Sequence, residues 1–345
     1  MLKQLLLAII LGGLLAAGAW WQRDPAPPIQ TFSLFALGTV VDLRLVADLD
    51  ESELSALQSQ LDQQLQQFQR RWSVLGQGAL VQLNEQLLRQ GRGTAPAPLI
   101  PLLRRAQNLC QQSQGLFDPA IGEWIKLWGF DSDDNLRSTP PSAEQLSALP
   151  RESWCTAQWV DNQVLLEQAG VSLNLGGMAK GLAVAEVTQS LREMGFENFI
   201  VNAGGDLEVG GAHPQRPWRI GIRDPRADDP RTALASLDLA DGEALFSSGD
   251  YERYFFHEGQ RFHHLLDPRT GQPARLASSA TVLDADAALA DAAATALFVA
   301  GPAAAPGVAR ALGVSQWMLV DAQGEVHGSE TFLQRLQWTD DAAAD

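Results

Sequence analysis

The sequence predicts an α+β fold, on three observations. Residues 51–72 place Leu54, Leu57, Leu61, Leu65, Phe68 and Trp72 at steps of three and four, the spacing of an amphipathic helix with a glutamine-rich outer face. From FIVNAGGDLEVGG (199–211) onward, WRIGIRDP, ASLDL, ALFSSGD, RYFFHEGQRFHHLLD and SATVLDA read as successive short strands. Helices and strands mix without regular βαβ alternation, and no internal repeat is visible.

The elements follow in order. MLKQLLLAIILGGLLAAGAWW carries Lys3 and then an apolar run from Leu5 to Trp21, so residues 1–21 read as an export signal or membrane anchor. Ala17-Gly18-Ala19 matches an A-x-A cleavage site, and no cysteine follows to make a lipoprotein. RDPAPP is a stiff linker within 22–30. The expected folded domain is 31–338, outside the cytoplasm, and the acidic tail 339–345 reads as disordered. FSLFALGTVVDLRLV (32–46) is a strand pair or a bent strand, and TAPAP breaks the chain before a helix near 99–114 that ends at Gly115. A polar, proline-rich excursion covers 131–153, QWVDNQVLLE is a hairpin turning at Asp161-Asn162, and VSLNL is a short strand. GGMAKG leads into a helix over about 178–194, further helices cover 286–299 and 302–312, and WMLVDAQGEVH closes with a hairpin.

Composition narrows the function. Of 345 residues, 46% are hydrophobic, enough for a large core, and 25 basic against 41 acidic residues give a net charge of −16. That balance argues against nucleic acid as a partner; an anionic ligand would be held by local groups and backbone amides. Cys110 and Cys155 match no metal spacing. They read as two buried thiols, with a single disulfide as the alternative in an exported domain.

Five stretches can carry chemistry. NLGGMAKGLA (174–183) sets Gly176 and Gly177 before a helix with Lys180 in its opening turn, which suits a phosphate, though the spacing is not that of a Walker A loop. NAGGDLEVGG (202–211) is a second glycine turn, flanked by Asn202 and Asp206. In DADAALADAAATALFVAG (284–301), Asp291 and Thr295 share one helix face, a carboxylate and a hydroxyl suited to Mg²⁺, while Asp286 reads as a cap. GLFDPAIG puts Asp118 before Pro119 in a turn. In HHLLDPRTGQP (263–273) the adjacent histidines face opposite ways in a strand, so one enters a cleft while the other stays solvated. Asp267 starts a turn, and Arg269 offers either a bidentate phosphate grip or a bond to the turn backbone.

Together these segments resemble the ApbE family of FAD:protein FMN transferases. LGT (37–39), SVLGQGALVQLNE (73–85), FDPAIG (117–122), NLGGMAKG (174–181), NAGGD (202–206), SSGDYERYF (247–255), HHLLDPRTG (263–271) and DAAATALFVAG (291–301) match in order, across roughly residues 35 to 301. The resemblance implies an ApbE-type, T-fold-like arrangement of mixed sheets with packed helices. It also implies a periplasmic or membrane-tethered enzyme that binds FAD with Mg²⁺, cleaves the pyrophosphate, attaches FMN to a threonine of a target protein and releases AMP. Targets would be flavin subunits of membrane redox complexes of the Nqr and Rnf kind.

By position, the resemblance assigns Gly177 (through its carbonyl), Asp291 and Thr295 to the metal. Leu37, Leu116, Phe117, Asp118, Asn174, Lys180, Leu265 and Arg269 would line the FAD site. His264 would be the acid or base, oriented by Asp267. Three departures stand out. Leu37 replaces the usual methionine, Ser73-Val74-Leu75 replaces a Ser-Thr-Tyr and so lacks a ring-stacking tyrosine, with Trp72 the nearest aromatic, and Asn174 replaces an aspartate. They keep open two alternatives on the same site: an FAD pyrophosphatase giving FMN and AMP, and a non-catalytic periplasmic FAD-binding protein.

Overall fold

A computed structural model describes residues 27–72 and 76–339, without the side chain of Asp133. The export segment, most of the linker, the Ser73-Val74-Leu75 stretch and the acidic tail beyond Thr339 lie outside the described residues.

An eight-stranded sheet organises the molecule. Its strands are neighbours in space in the order they occur in the chain: Ile29–Ala36, Thr39–Val46, Phe199–Ala203, Asp206–Gly210, Ala244–Gly249, Ala277–Asp284, Gln316–Asp321 and Val326–Gly328. Each neighbouring pair is antiparallel. The 32–46 segment is thus a strand pair, turning at Leu37 (φ 57°) and Gly38 (φ 72°). Two successive left-handed residues match the twist of the flanking strands.

Strand periodicity divides the core in two. Val201 points to the helical side and Ile200 to the other, as period two requires. On the first side pack helices Glu51–Trp72, Gly176–Glu193 and Ala287–Leu312. The first buries Leu57, Leu61, Leu65 and Phe68, as its spacing predicts, and starts at a reciprocal cap in which Asp50 and Glu53 each accept the other's backbone N–H. Ala287–Leu312 is apolar and long enough to cross a membrane, yet most of it is buried against the sheet. It is two helices joined at Gly301 (φ 70°, ψ 174°), as the two predicted segments anticipate. On the opposite side Trp218–Arg223, Ala233–Leu239 and Gln337–Trp338 form a three-stranded sheet over Leu207, Val209, Leu245 and Leu283.

Three expectations change. Helix Ala79–Gln90, burying Leu80, Leu83 and Leu87, was not anticipated. VSLNL forms no strand: Asn84 binds the Leu173 backbone at both ends, accepting from its N–H at 2.8 Å and donating to its carbonyl at 2.9 Å. A side-chain amide takes the place of a ladder partner. The favoured reading of two buried thiols is also wrong. Cys110, on helix Ile100–Gln112, is disulfide-bonded to Cys155, because the fold lays 153–157 along that helix through Gln107, Gln111 and Trp154.

Candidate functional site

Helix Gly176–Glu193 and the start of Ala287–Leu312 cross at Gly181, where a Cβ would collide with the Ala287 carbonyl. This close approach lets Asp291 Oδ2 accept the Gly181 N–H at 2.9 Å. A regular helix would offer that N–H to the Gly177 carbonyl four residues back, which now competes with a carboxylate. Gly177 is bare for a similar reason: a Cβ there would lie 3.2 Å from Thr295 Oγ1 and 3.3 Å from the Phe117 ring. Thr295 Oγ1 is 3.1 Å from Ser248 Oγ. The three residues assigned to the metal therefore converge, as do Lys180 and Phe117.

Charge is concentrated at this crossing. Lys180 pairs with Asp206, which is almost fully buried and whose Oδ1 also accepts the Ser247 N–H at 2.8 Å. Burial pulls the Lys180 ammonium down, but Asp206 and Asp291 outweigh it and the net shift is upward. The Asp291 carboxyl is raised, first by burial and then by Asp206. Glu252 also feels Lys180 and Asp206, and burial raises its carboxyl. Two buried carboxylates sharing one lysine, with two hydroxyls beside them, make an all-oxygen donor set with excess negative charge. Such a set fits a hard cation such as Mg²⁺.

His263 is enclosed and His264 is half-buried with one ring nitrogen shut away, so the expectation that one of them stays solvated is corrected. His263 packs edge-on against Phe298 and shares a 2.8 Å hydrogen bond with the Ala274 carbonyl through Nε2. Burial brings its imidazole down to about 4. His264 lies edge-on to Phe130 and is only partly shielded, but its Nδ1 is shut away from solvent without a partner. Burial, His263, Lys180 and Arg253 lower it to about 3, so the ring is neutral at physiological pH. Both faces of the hairpin end are covered, one by the alanine-rich helix and one by the aromatic cluster of Trp128, Phe130, Phe255 and Phe262.

Other predicted residues fall around this centre. Asp118 is buried; its Oδ1 accepts from Ala120 N (2.9 Å) and Trp154 N (3.0 Å), and its Oδ2 from Ser153 Oγ (2.5 Å). Burial raises its carboxyl against the pull of these bonds. Asn174 turns its Oδ1 back to the Gly176 N–H (2.8 Å) just ahead of the helix. Leu116, Phe117 and Leu265 are buried, and Leu37 packs partly buried at the first hairpin turn. Asp267 does not orient His264: Arg269 occupies it through Nε (2.9 Å) and a terminal nitrogen (2.7 Å), and its backbone N–H adds a third bond. The pair closes the turn, the structural option for Arg269. Trp72, the nearest aromatic to the missing tyrosine, packs against Phe68. Asp206 and Ser248 lay inside quoted motifs without an assigned role; the pairing of Lys180 with Asp206 needs the hairpin turn at 204–205, which sequence distance hides.

Two helices that cross in front of an antiparallel sheet, gathering carboxylates, hydroxyls and a half-buried lysine beside His264, are the frame of this α+β protein. The chain belongs to the ApbE family, whose model matches residues 37–318. It is 34% identical over 335 residues to the FAD:protein FMN transferase of Rhodobacter capsulatus, covering 96% of this chain and 62% of that protein's length. To the FAD:protein FMN transferase of Treponema pallidum it is 33% identical, covering 77% of each chain. The crystal structure of the ApbE protein of Thermotoga maritima superposes with a TM-score of 0.77 at 30% identity, covering 89% of this chain and 99% of that one.

Proposed function

We propose that the protein is a Mg²⁺-dependent FAD:protein FMN transferase that joins FMN by a phosphoester to an acceptor threonine and releases AMP. The observation that carries this reading is the convergence of Gly177, Lys180, Asp291 and Thr295 beside a neutral His264. Asp291, Thr295 and the Gly177 carbonyl would hold Mg²⁺, which when bound neutralises diphosphate charge. Lys180 offers a point charge to the same phosphates. Leu116, Phe117 and Leu265 supply apolar wall, and Asp118 and Asn174 polar edges. The new bond joins the threonine Oγ to the phosphorus of the FMN half; the bond broken links that phosphorus to the oxygen leaving with AMP. The hydroxyl proton passes to His264. Burial first, and then His263, Lys180 and Arg253, hold the imidazole too acidic for a strong base, and an incoming diphosphate would offset the part that comes from the positive charges.

The hydrophobic N-terminal segment and the disulfide support export to an oxidising compartment, the periplasm in an anchored or cleaved form. Acceptors there would be flavin subunits of Nqr- or Rnf-like membrane complexes. The test incubates the full chain with FAD, Mg²⁺ and a domain carrying a candidate threonine, and reads intact mass. We expect the acceptor to gain one FMN, and His264→Ala to slow this about 10²–10⁴-fold. Free FMN and AMP without acceptor gain would make the protein a pyrophosphatase.

A further inference from the structure

The Asp118 carboxylate is held by a device outside the crossing. Two of its three bonds come from Ser153 Oγ and Trp154 N, in a short segment whose next residue is Cys155. Ser153 Oγ also accepts the Cys155 N–H (3.2 Å) and lies 3.7 Å from Cys110 Sγ. The disulfide thus fastens this segment to helix Ile100–Gln112 at the residue beside the one that grips Asp118. The same helix end supports the next wall residue: Ser113 Oγ accepts the Phe117 N–H at 3.1 Å, and its own hydroxyl donates to the Cys110 carbonyl at 3.1 Å. Phe117 in turn lies against Gly177.

We propose that Ser153, fixed by the Cys110–Cys155 disulfide, is a positioning residue for Asp118, and that the redox state of this disulfide sets the affinity for the flavin nucleotide. The inference rests on the proposed flavin site. Reduction by a dithiol breaks the S–S bond: two electrons and two protons pass to the protein, giving two thiols, and the dithiol closes to its own disulfide. Gln107, Gln111 and Trp154 still tie the segment to the helix, so reduction loosens Ser153 without unfolding the domain. Removing the Ser153 hydroxyl leaves a buried carboxylate oxygen without its donor, which is the larger perturbation.

The test measures FAD binding to the full chain by titration, in the oxidised state and after dithiothreitol, for wild type, Ser153→Ala, Ser153→Thr and the double variant Cys110→Ala/Cys155→Ala. We expect Ser153→Ala to raise Kd about tenfold or more, Ser153→Thr to restore it, and dithiothreitol to raise the wild-type Kd about threefold. The double variant should bind as the reduced wild type does and ignore dithiothreitol. In turnover, KM for FAD should rise with kcat little changed. Equal Kd in wild type and Ser153→Ala, with FMN transfer intact, overturns this inference and leaves the transferase reading standing. Should Ser153→Ala fail to fold, the oxidised-against-reduced wild-type pair decides. FAD bound with the expected ordering but no FMN transferred keeps this inference and removes the transferase.

Discussion

The core behind the eight-stranded sheet and the site in front of it are built from opposite faces of the same strands. Behind the sheet, Trp218 sits among Leu237, Leu239 and Leu245 and donates its Nε1 hydrogen to the Gly210 carbonyl at 3.0 Å. In the hairpin and turn region beside the site, Trp124 Nε1, His263 Nδ1 and His264 Nδ1 are buried without partners. In front of the sheet, Asp206 and Asp291 sit deep around one lysine. A structure selected only for stability would satisfy or remove such groups. Arg71 Nε and Arg223 Nε are buried without partners too, so it is the two deep carboxylates around one lysine, more than the orphaned nitrogens, that mark where folding energy is given up.

The contrast can be broken by substitution. On the proposed Mg²⁺ site and transfer activity, Asp291→Ala should reduce FMN transfer about 10³-fold, since metal charge stabilisation would be worth several kcal/mol and 1.36 kcal/mol is tenfold. Its thermal midpoint should hold or rise, because a buried charge is removed; a parallel fall in midpoint would make Asp291 a structural residue. Leu237→Ala should do the reverse, costing about 2–5 kcal/mol of stability in denaturant titration with FAD affinity unchanged. A matching loss of affinity would show that the two regions act as one.

Acid sharpens the comparison. The folded pKa values of His263 and His264 are lowered to about 4 and about 3, below the ordinary 6.5. The unfolded chain therefore takes up protons first as pH falls. The stability that these neutral rings hold is complete above about 6.5 and is lost as pH falls from there to about 4 for His263 and about 3 for His264, at up to about 1.4 kcal/mol per pH unit for each. Replacing His263 by Gln should flatten that slope in urea titrations across pH 7 to 4, and an unchanged slope would mean the rings are not the source. The smallest effect belongs to the turn. Arg269→Ala should cost less than about 1 kcal/mol, as an exposed pair does. A tenfold loss of FAD affinity would instead return Arg269 to the phosphate.

The sequence makes visible what is local. The helix 51–72 follows from leucine spacing, and the hairpin at Asp161-Asn162 from turn chemistry, with Asp161 at φ 54°. Asp291 and Thr295 share a face because they are one helical turn apart. Hidden were the groups that meet only through the fold. Asp206 reaches Lys180 from the far side of a hairpin, Ser153 reaches Asp118 across the 130s and 140s, and Cys110 finds Cys155 at a separation of 45 residues. Asp267 misled for the converse reason: its nearest cation in sequence, Arg269, claims it before His264 can.

The spatial order of the main sheet has a consequence for how the chain matures. Six of its seven adjacencies join strands near in sequence, but Thr39–Val46 pairs with Phe199–Ala203 across the long helical segment between them. As the chain emerges, the first hairpin therefore waits with Val41, Leu43 and Leu45 along an open edge until the far half arrives. Closing so long a loop is slow, and an unpaired apolar edge is a template for aggregation. A nascent chain halted before residue 199 would be the species most in need of a chaperone, and the last strands would act less as an addition than as the event that permits the first to stay folded.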